Sequence, residues 1–316
     1  MHAATLAAPT PTATVISADD LCRFMRSGDT VACAAWEKRL DRILRHDAAG
    51  GQLEVQAGTP WAALAGIPAA GLPAGTVGES VARNCPGPDG EPLVAHVIAL
   101  TFATPDGQLR RASRERSAEL FRLAVGGHGA FGPYYSITLD LRSLEQARRA
   151  AVPPVAMTLP AAAETGARHA VELLLPPERA QAAVARLREA VAERRFSLTR
   201  LEARPAKAET ETMLRWACRE FVVLDVEIAA RPTLGASVAA AQLCARLIDV
   251  SIEAGGSFMP ASLSRATRAQ AEACYPMLGE FLAEKRRLDP AERVRTPWVL
   301  EAVRVCRGER CRVRFG

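Results

Sequence analysis

The chain is poor in lysine: only Lys38, Lys207 and Lys285 occur in its 316 residues, and every other cation is arginine. Acidic residues interrupt the arginines almost everywhere, so a net charge of +5 forms no basic stripe. Tracking of nucleic-acid phosphates needs cations gathered on one surface, so a nucleic-acid partner is not expected. No apolar run reaches the roughly 18–20 residues that a membrane span requires, which argues against an integral membrane segment. Met1 to Ser17 is built from Ala, Thr and Pro, without the basic and continuous apolar regions of a secretory leader. The eight cysteines contain no CxxC pair, and Cys306 and Cys311 have no histidine close by, so no metal site is expected. Reduced thiols in a soluble, cytoplasmic protein are the resulting expectation. There is no internal repeat. The Gly126–Gly132 stretch, GGHGAFG, lacks the Lys-Ser/Thr of a P-loop and does not have GxGxxG spacing.

Nearly half of the residues are apolar, enough for two domains with buried cores. From Ala13 to about Arg142 the chain is rich in Gly and Pro with short apolar runs. Val31–Cys33, Leu53–Ala57, Leu93–Ala103 and Tyr135–Leu141 read as strands. Asp19–Arg26 reads as a helix with Ser17 as its N-cap. Pro105-Asp106-Gly107 marks a hairpin between Leu100–Thr104 and Gln108–Arg111. From about Glu145 to Gly256 the order is strand (His169–Leu175), helix (Pro177–Arg194), strand (Phe196–Leu201), strand (Phe221–Ile228) and helix (Gly235–Ala254), the last stopped by Gly255-Gly256. That order suggests a ferredoxin-like α+β sandwich. Ser264–Arg287 reads as a helix broken at Pro276 and ended by Asp289-Pro290, with a frayed Arg-rich end to the chain.

The stretch from Leu53 to Leu141 carries the motifs. They are a strand ending in Val55-Gln56-Ala57-Gly58 with Trp61 after it, Thr76-Val77-Gly78, a strand–Pro-Asp-Gly–strand hairpin, and Leu120-Phe121 followed by Gly126, Gly127, Gly129 and Gly132. A flavin dinucleotide needs backbone N–H groups brought close to its pyrophosphate and ring. Glycines at 75, 78 and 87 can expose such groups, and Thr76, Ser80 and Asn84 add polar side chains. In this order the pieces resemble the FAD-binding oxidoreductases of the vanillyl-alcohol-oxidase and p-cresol-methylhydroxylase (PCMH) type. The tail, with Gly255-Gly256, Tyr275-Pro276, Phe281, Lys285 and Asp289-Pro290, looks like the C-terminal segment of the same enzymes. Their decaprenylphosphoryl-ribose oxidase branch is the nearest in look.

The resemblance implies an α+β, two-domain protein. A PCMH-type FAD-binding domain over 13–144, truncated at its first lobe, would be followed by a ferredoxin-like α+β substrate (cap) domain over 145–260. A segment over 261–316 would return to the flavin domain. It implies noncovalent FAD, held by Gly75, Thr76, Val77, Gly78, Ser80, Asn84, Val97 and Ile98. It also implies hydride transfer from a small-molecule or lipid-linked alcohol to the flavin. Tyr275, Lys285 and Asp225 are the candidates for the base that takes the hydroxyl proton. His128 reads as a turn residue.

Three departures stand against a complete site. Cys33 to Asp41 contains no glycine-rich pyrophosphate loop and no histidine for a covalent link. Glu79 replaces the family's second glycine after Thr-Val-Gly, and a carboxylate facing a pyrophosphate is repulsive by about a kcal/mol or more. Val223 and Ser262 stand where the decaprenylphosphoryl-ribose oxidases carry a Cys and a Lys. The alternative expectation is therefore a degenerate, flavin-free homologue acting as a binding or partner subunit.

Overall fold

The computed structural model describes residues 17–27, 39–64, 75–159 and 166–309. The expected strand at Val31–Cys33 and the segment that replaces the pyrophosphate loop, up to Lys38, lie outside these residues.

Helix α1 (Ala18–Ser27) starts where the Ser17 hydroxyl accepts the Asp20 N–H. It buries Leu21, Cys22 and Met25 with Leu40, Ala103 and Val294 in a small satellite core. The first sheet is antiparallel and formed by β1 (Ile43–Asp47), β2 (Gln52–Gln56), β3 (Val97–Ala103), β4 (Leu109–Ser113) and β5 (Tyr134–Asp140), in the order β1-β2-β5-β3-β4. Strand β1 has an exposed Ile43-Leu44-Arg45-His46 run and was not expected; pairing with β2, not burial, defines it. The β3–β4 hairpin is the expected one, closed by Gly107 N–H on the Thr104 carbonyl at φ +76°.

Leu93–His96 is a 3-10 turn instead of the start of β3. Pro92 opens it, and the Val94 N–H is taken by Asn84 Oδ1 at 2.8 Å, which leaves that amide no sheet partner. Helix α2 (Val77–Arg83) begins at Thr76 and ends at Asn84, whose φ of 47° is left-handed. Helix α3 (Ala118–Ala124) leads into the glycine turn. There a Cβ on Gly132 would lie 1.9 Å from the Ala103 carbonyl oxygen, so only glycine lets the turn pack on β3. Helix α4 (Leu141–Arg149) is capped by Asp140, whose carboxylate accepts the Arg142 and Ser143 N–H groups. That cap ends β5 one residue before the expected Leu141.

The second sheet is also antiparallel. It contains β6 (Val155–Ala156), β7 (Ala167–Leu175), β8 (Ser197–Ala206), β9 (Phe221–Ala230) and β10 (Ser257–Phe258), in the order β10-β7-β9-β8-β6. Helix α5 (Ala180–Glu193) connects β7 to β8, and α6 (Leu234–Glu253) connects β9 to β10. Alternation decides which side the helices cover. Val171, Leu173 and Leu175 of β7, Leu201 of β8, and Leu224, Val226 and Ile228 of β9 are buried in one core with α5 and α6. Helix α6 is long and apolar enough to cross a membrane by length and composition, yet its Leu243, Cys244, Leu247 and Ile248 belong to this core.

The tail forms α7 (Arg268–Cys274), α8 (Leu278–Leu288) and α9 (Pro297–Cys306), with the expected break at Pro276. Helix α9 was not anticipated, although Thr296-Pro297 is a cap followed by a first-turn proline. The tail reaches back to the first sheet's loops. Trp298 stacks on His128 at 4.4 Å between ring centroids, and Phe281 meets Phe131 edge-on at 5.2 Å. The chain is thus a mixed α+β protein with two antiparallel sheets.

Candidate functional site

The face of the second sheet away from α5 and α6 is polar. In cross-strand register, Glu172 of β7 stands beside Asp225 of β9, which stands beside Glu202 of β8. One row over are Ala170, Glu227 and Arg200. Like charges directly opposite across strands destabilise a sheet unless cations compensate them. The cations are present. Arg204 donates to Glu172 at 3.1 Å and lies 3.4 Å from Asp225, Arg200 pairs with Glu202 at 2.6 Å, and Arg168 pairs with Glu227 at 2.5 Å. Arg83, at the end of α2, crosses from the other sheet's side to bond Glu172 at 3.0 Å.

Between this face and the Glu79–Gly90 segment lies a cleft of about 700 Å³. The strap after β10 closes one side with Met259, Ala261 and Ser262. The Ser262 hydroxyl accepts the backbone N–H of Glu172 at 2.9 Å. Burial pushes the Glu172 carboxyl above the usual glutamate range. Arg83 and Arg204 oppose that push, while Asp225, a charged neighbour that also hydrogen-bonds Glu172, adds to it. Cys85 is a buried free thiol in the same wall, and burial holds its pKa up as well.

The eight residues expected to hold FAD are placed as follows. Thr76 caps α2, its hydroxyl accepting the Glu79 N–H at 3.1 Å. The Val77 N–H goes to the Thr59 carbonyl at 3.0 Å and the Gly78 N–H to the Ala57 carbonyl at 2.8 Å. Gly78 is pressed so closely on Ala57 that a Cβ would lie 2.7 Å from its carbonyl oxygen. Ser80 donates to the Thr76 carbonyl and accepts the indole N–H of Trp61, both at 3.0 Å. Asn84 is fully buried and bonds Val94; its side-chain amide nitrogen has no partner. Val97 is buried in β3 and Ile98 half-buried beside it. Gly75 has φ +103°, and the Glu79 carboxylate folds over it, 2.7 Å from where a Cβ would stand. Of the eight, Ser80 alone lines the cleft.

These groups do not fit a pyrophosphate. The N–H donors at 77, 78 and 79 are closed on protein oxygens, and a carboxylate covers the turn where phosphate oxygens would need to sit.

The candidate bases separate cleanly. Asp225 is in the cleft. Tyr275 is buried with its hydroxyl donating to the Phe258 carbonyl, and desolvation holds its pKa well above the ordinary value, so it belongs to the packing of β10. Lys285 is buried and ion-paired with Asp289, away from the cleft. His128 is the turn residue expected, at φ +51°, with its N–H on the Ala82 carbonyl. Desolvation, with Arg83 adding to it, lowers its pKa to about 3, so it is neutral at physiological pH.

Sequence reasoning missed Glu172, Glu202, Arg204 and Arg83. The signal was the period-2 charge in Arg200-Leu201-Glu202-Ala203-Arg204 and in Asp225-Val226-Glu227, which reads as an ordinary solvated strand face. What makes that face a cleft wall is the packing of the Glu79–Gly90 segment across it. No family model matches the chain, and no curated protein matches it in sequence.

Proposed function

We propose that this chain is a flavin-free binding or partner subunit on a flavoprotein-type scaffold, holding a small polar molecule in the cleft between its two sheets. The observation that carries this reading is the closure of the 77–79 amides on Thr59, Ala57 and Thr76, with Glu79 folded over Gly75. A scaffold of PCMH type is supported by the order of motifs and by the second sheet. Its strand–helix–strand–strand–helix–strand run, in the order β10-β7-β9-β8 with β6 added beside β8, has ferredoxin-like topology, as the resemblance implies for a cap domain. A cleft at the junction of two layers, lined by charged and polar groups, is a common place for small ligands. The buried cysteines Cys22 and Cys85 accord with a reducing, cytoplasmic setting.

The test is amide NMR of the full chain against a library of small polar molecules, with ADP and FAD added separately. The reading expects shifts at Arg83, Glu172, Asp225 and Ser262 with library members, and none at Val77–Glu79 with ADP or FAD. Shifts at 77–79 with FAD would overturn it.

An FAD-dependent oxidoreductase acting on an alcohol is the second reading. One observation favours it: the Ser80–Gly87 wall, the Asp225 face and the strap from Met259 to Ser262, three regions that carry or adjoin the resemblance, meet on one cleft.

A further inference from the structure

Resting on the reading that the cleft is the ligand site, we infer that it is a site for a small organic monocarboxylate, in which Glu172 holds the ligand's place until it takes a proton. Two guanidiniums from different parts of the chain converge on this one carboxylate. Arg83 of α2 reaches Oε2 at 3.0 Å, and Arg204 of β8 reaches Oε1 at 3.1 Å. The arginine guanidinium matches carboxylate geometry and is over-represented where carboxylates are bound, and here the carboxylate held by two of them is the protein's own. It sits at the wall of a cavity large enough for a metabolite-sized acid. Arg83 is not saturated by the contact, because its buried Nε has no hydrogen-bond partner.

Charge accounting fixes the ligand class. The titratable and charged groups facing Glu172 are Glu79, Arg83 and Cys85 from α2 and the residues after it, Asp225 and Glu227 from β9, and Arg200, Glu202 and Arg204 from β8; the strap contributes none. Arg200 is matched by Glu202, Arg204 by Asp225, and Glu227 by Arg168 outside the cleft. With Glu172 ionised, Arg83 is matched too, and an incoming anion finds no unmatched cation and meets the unpaired Glu79 carboxylate. With Glu172 protonated, Arg83 and the second edge of Arg204 are released, and one ligand carboxylate can take over the charge that Glu172 gives up, with Glu79 unmatched in both states. Burial already biases Glu172 toward the protonated form. The exchange balances: one proton from solvent goes to a Glu172 oxygen as one ligand carboxylate takes its place between the guanidiniums. A dicarboxylate would bring a second charge toward Glu79 and Glu202, so monocarboxylates are preferred.

The experiment is isothermal titration calorimetry of the full chain with acetate, lactate, benzoate and succinate from pH 5 to 8, in buffers of different protonation enthalpy. Amide NMR maps where each acid binds. Above the Glu172 pKa the expected result is uptake that rises to about one proton and an affinity that falls about tenfold per pH unit, with succinate weaker than the monocarboxylates. Glu172→Gln, folded by circular dichroism, should bind at pH 8 without proton uptake, and Arg204→Met should lose binding. Monocarboxylate binding to the wild-type chain with neither proton uptake at pH 8 nor a loss of affinity between pH 5 and pH 8 would overturn the inference. So would failure of all four acids to bind wild type and Glu172→Gln. If neutral polar molecules then still shift Arg83 and Asp225, the cleft reading survives and the carboxylate assignment falls. If the acids bind but shift residues outside the cleft, both fall.

Discussion

Lys285 matters because a lysine in this position could be a catalytic group or a strut. In the structure it is 5 % exposed and its partner Asp289 is 1 % exposed. The Asp289 carboxylate accepts more than the lysine: the Arg293 and Val294 N–H groups reach it at 2.9 Å each, so it fixes the chain reversal after α8. Lys285→Met keeps most of the apolar stem and removes the charge, leaving a buried carboxylate with two amide donors. Breaking a buried pair by removing one partner costs about 3–5 kcal/mol. The two remaining N–H bonds place this case near the lower end, about 3 kcal/mol. At roughly 2 °C per kcal/mol for a chain of this size, the melting temperature should fall by about 6 °C. Lys285→Met combined with Asp289→Asn removes the stranded charge and should recover part of the loss. Differential scanning fluorimetry with parallel ligand titration checks both variants. An unchanged melting temperature with abolished ligand binding would refute the structural assignment of Lys285.

Gly78→Ala drives a methyl into Ala57 and should cost about 1–3 kcal/mol by overpacking. Gly279→Ala, in α8 with open space around its Cβ, should instead stabilise by about 0.5–1 kcal/mol; urea unfolding of the two variants must give opposite signs. His128 has a folded pKa of about 3, below the ordinary 6.5. Between these values the unfolded state binds a proton that the folded state refuses, so this stability is complete above pH 6.5 and is lost as pH falls toward 3. His128→Asn removes that dependence. The melting-temperature gap between wild type and variant should therefore narrow from pH 7 to pH 4, and a constant gap would contradict a neutral His128 with a desolvated ring nitrogen.

The scaffold was legible where local chemistry agreed with packing. Ser17, the Pro105-Asp106-Gly107 turn and Gly255-Gly256 marked element ends correctly, because caps and left-handed glycines act within a few residues. Strand β1 was illegible because its side chains are exposed and only its partner β2 makes it a strand. The short helices α2, α3 and α4 carry too few turns for a periodic pattern to stand out. At the site, glycines suggested a phosphate cradle. Whether their amides are open depends on Ala57 and Thr59, about 20 residues earlier in the chain. The Glu172–Asp225–Glu202 row needs the register of three strands and the placement of Arg83 on a fourth element, which no local pattern reveals.

The central claim, that the cleft works without a flavin dinucleotide, is tested most directly by the absorbance spectrum of the purified full chain, followed by titration with FAD under fluorescence. The expected result is a colourless protein with no flavin bands and no quenching of added FAD at tens of micromolar. A yellow protein carrying flavin near one per chain, or saturable FAD binding that shifts the Val77–Glu79 amides, would contradict it.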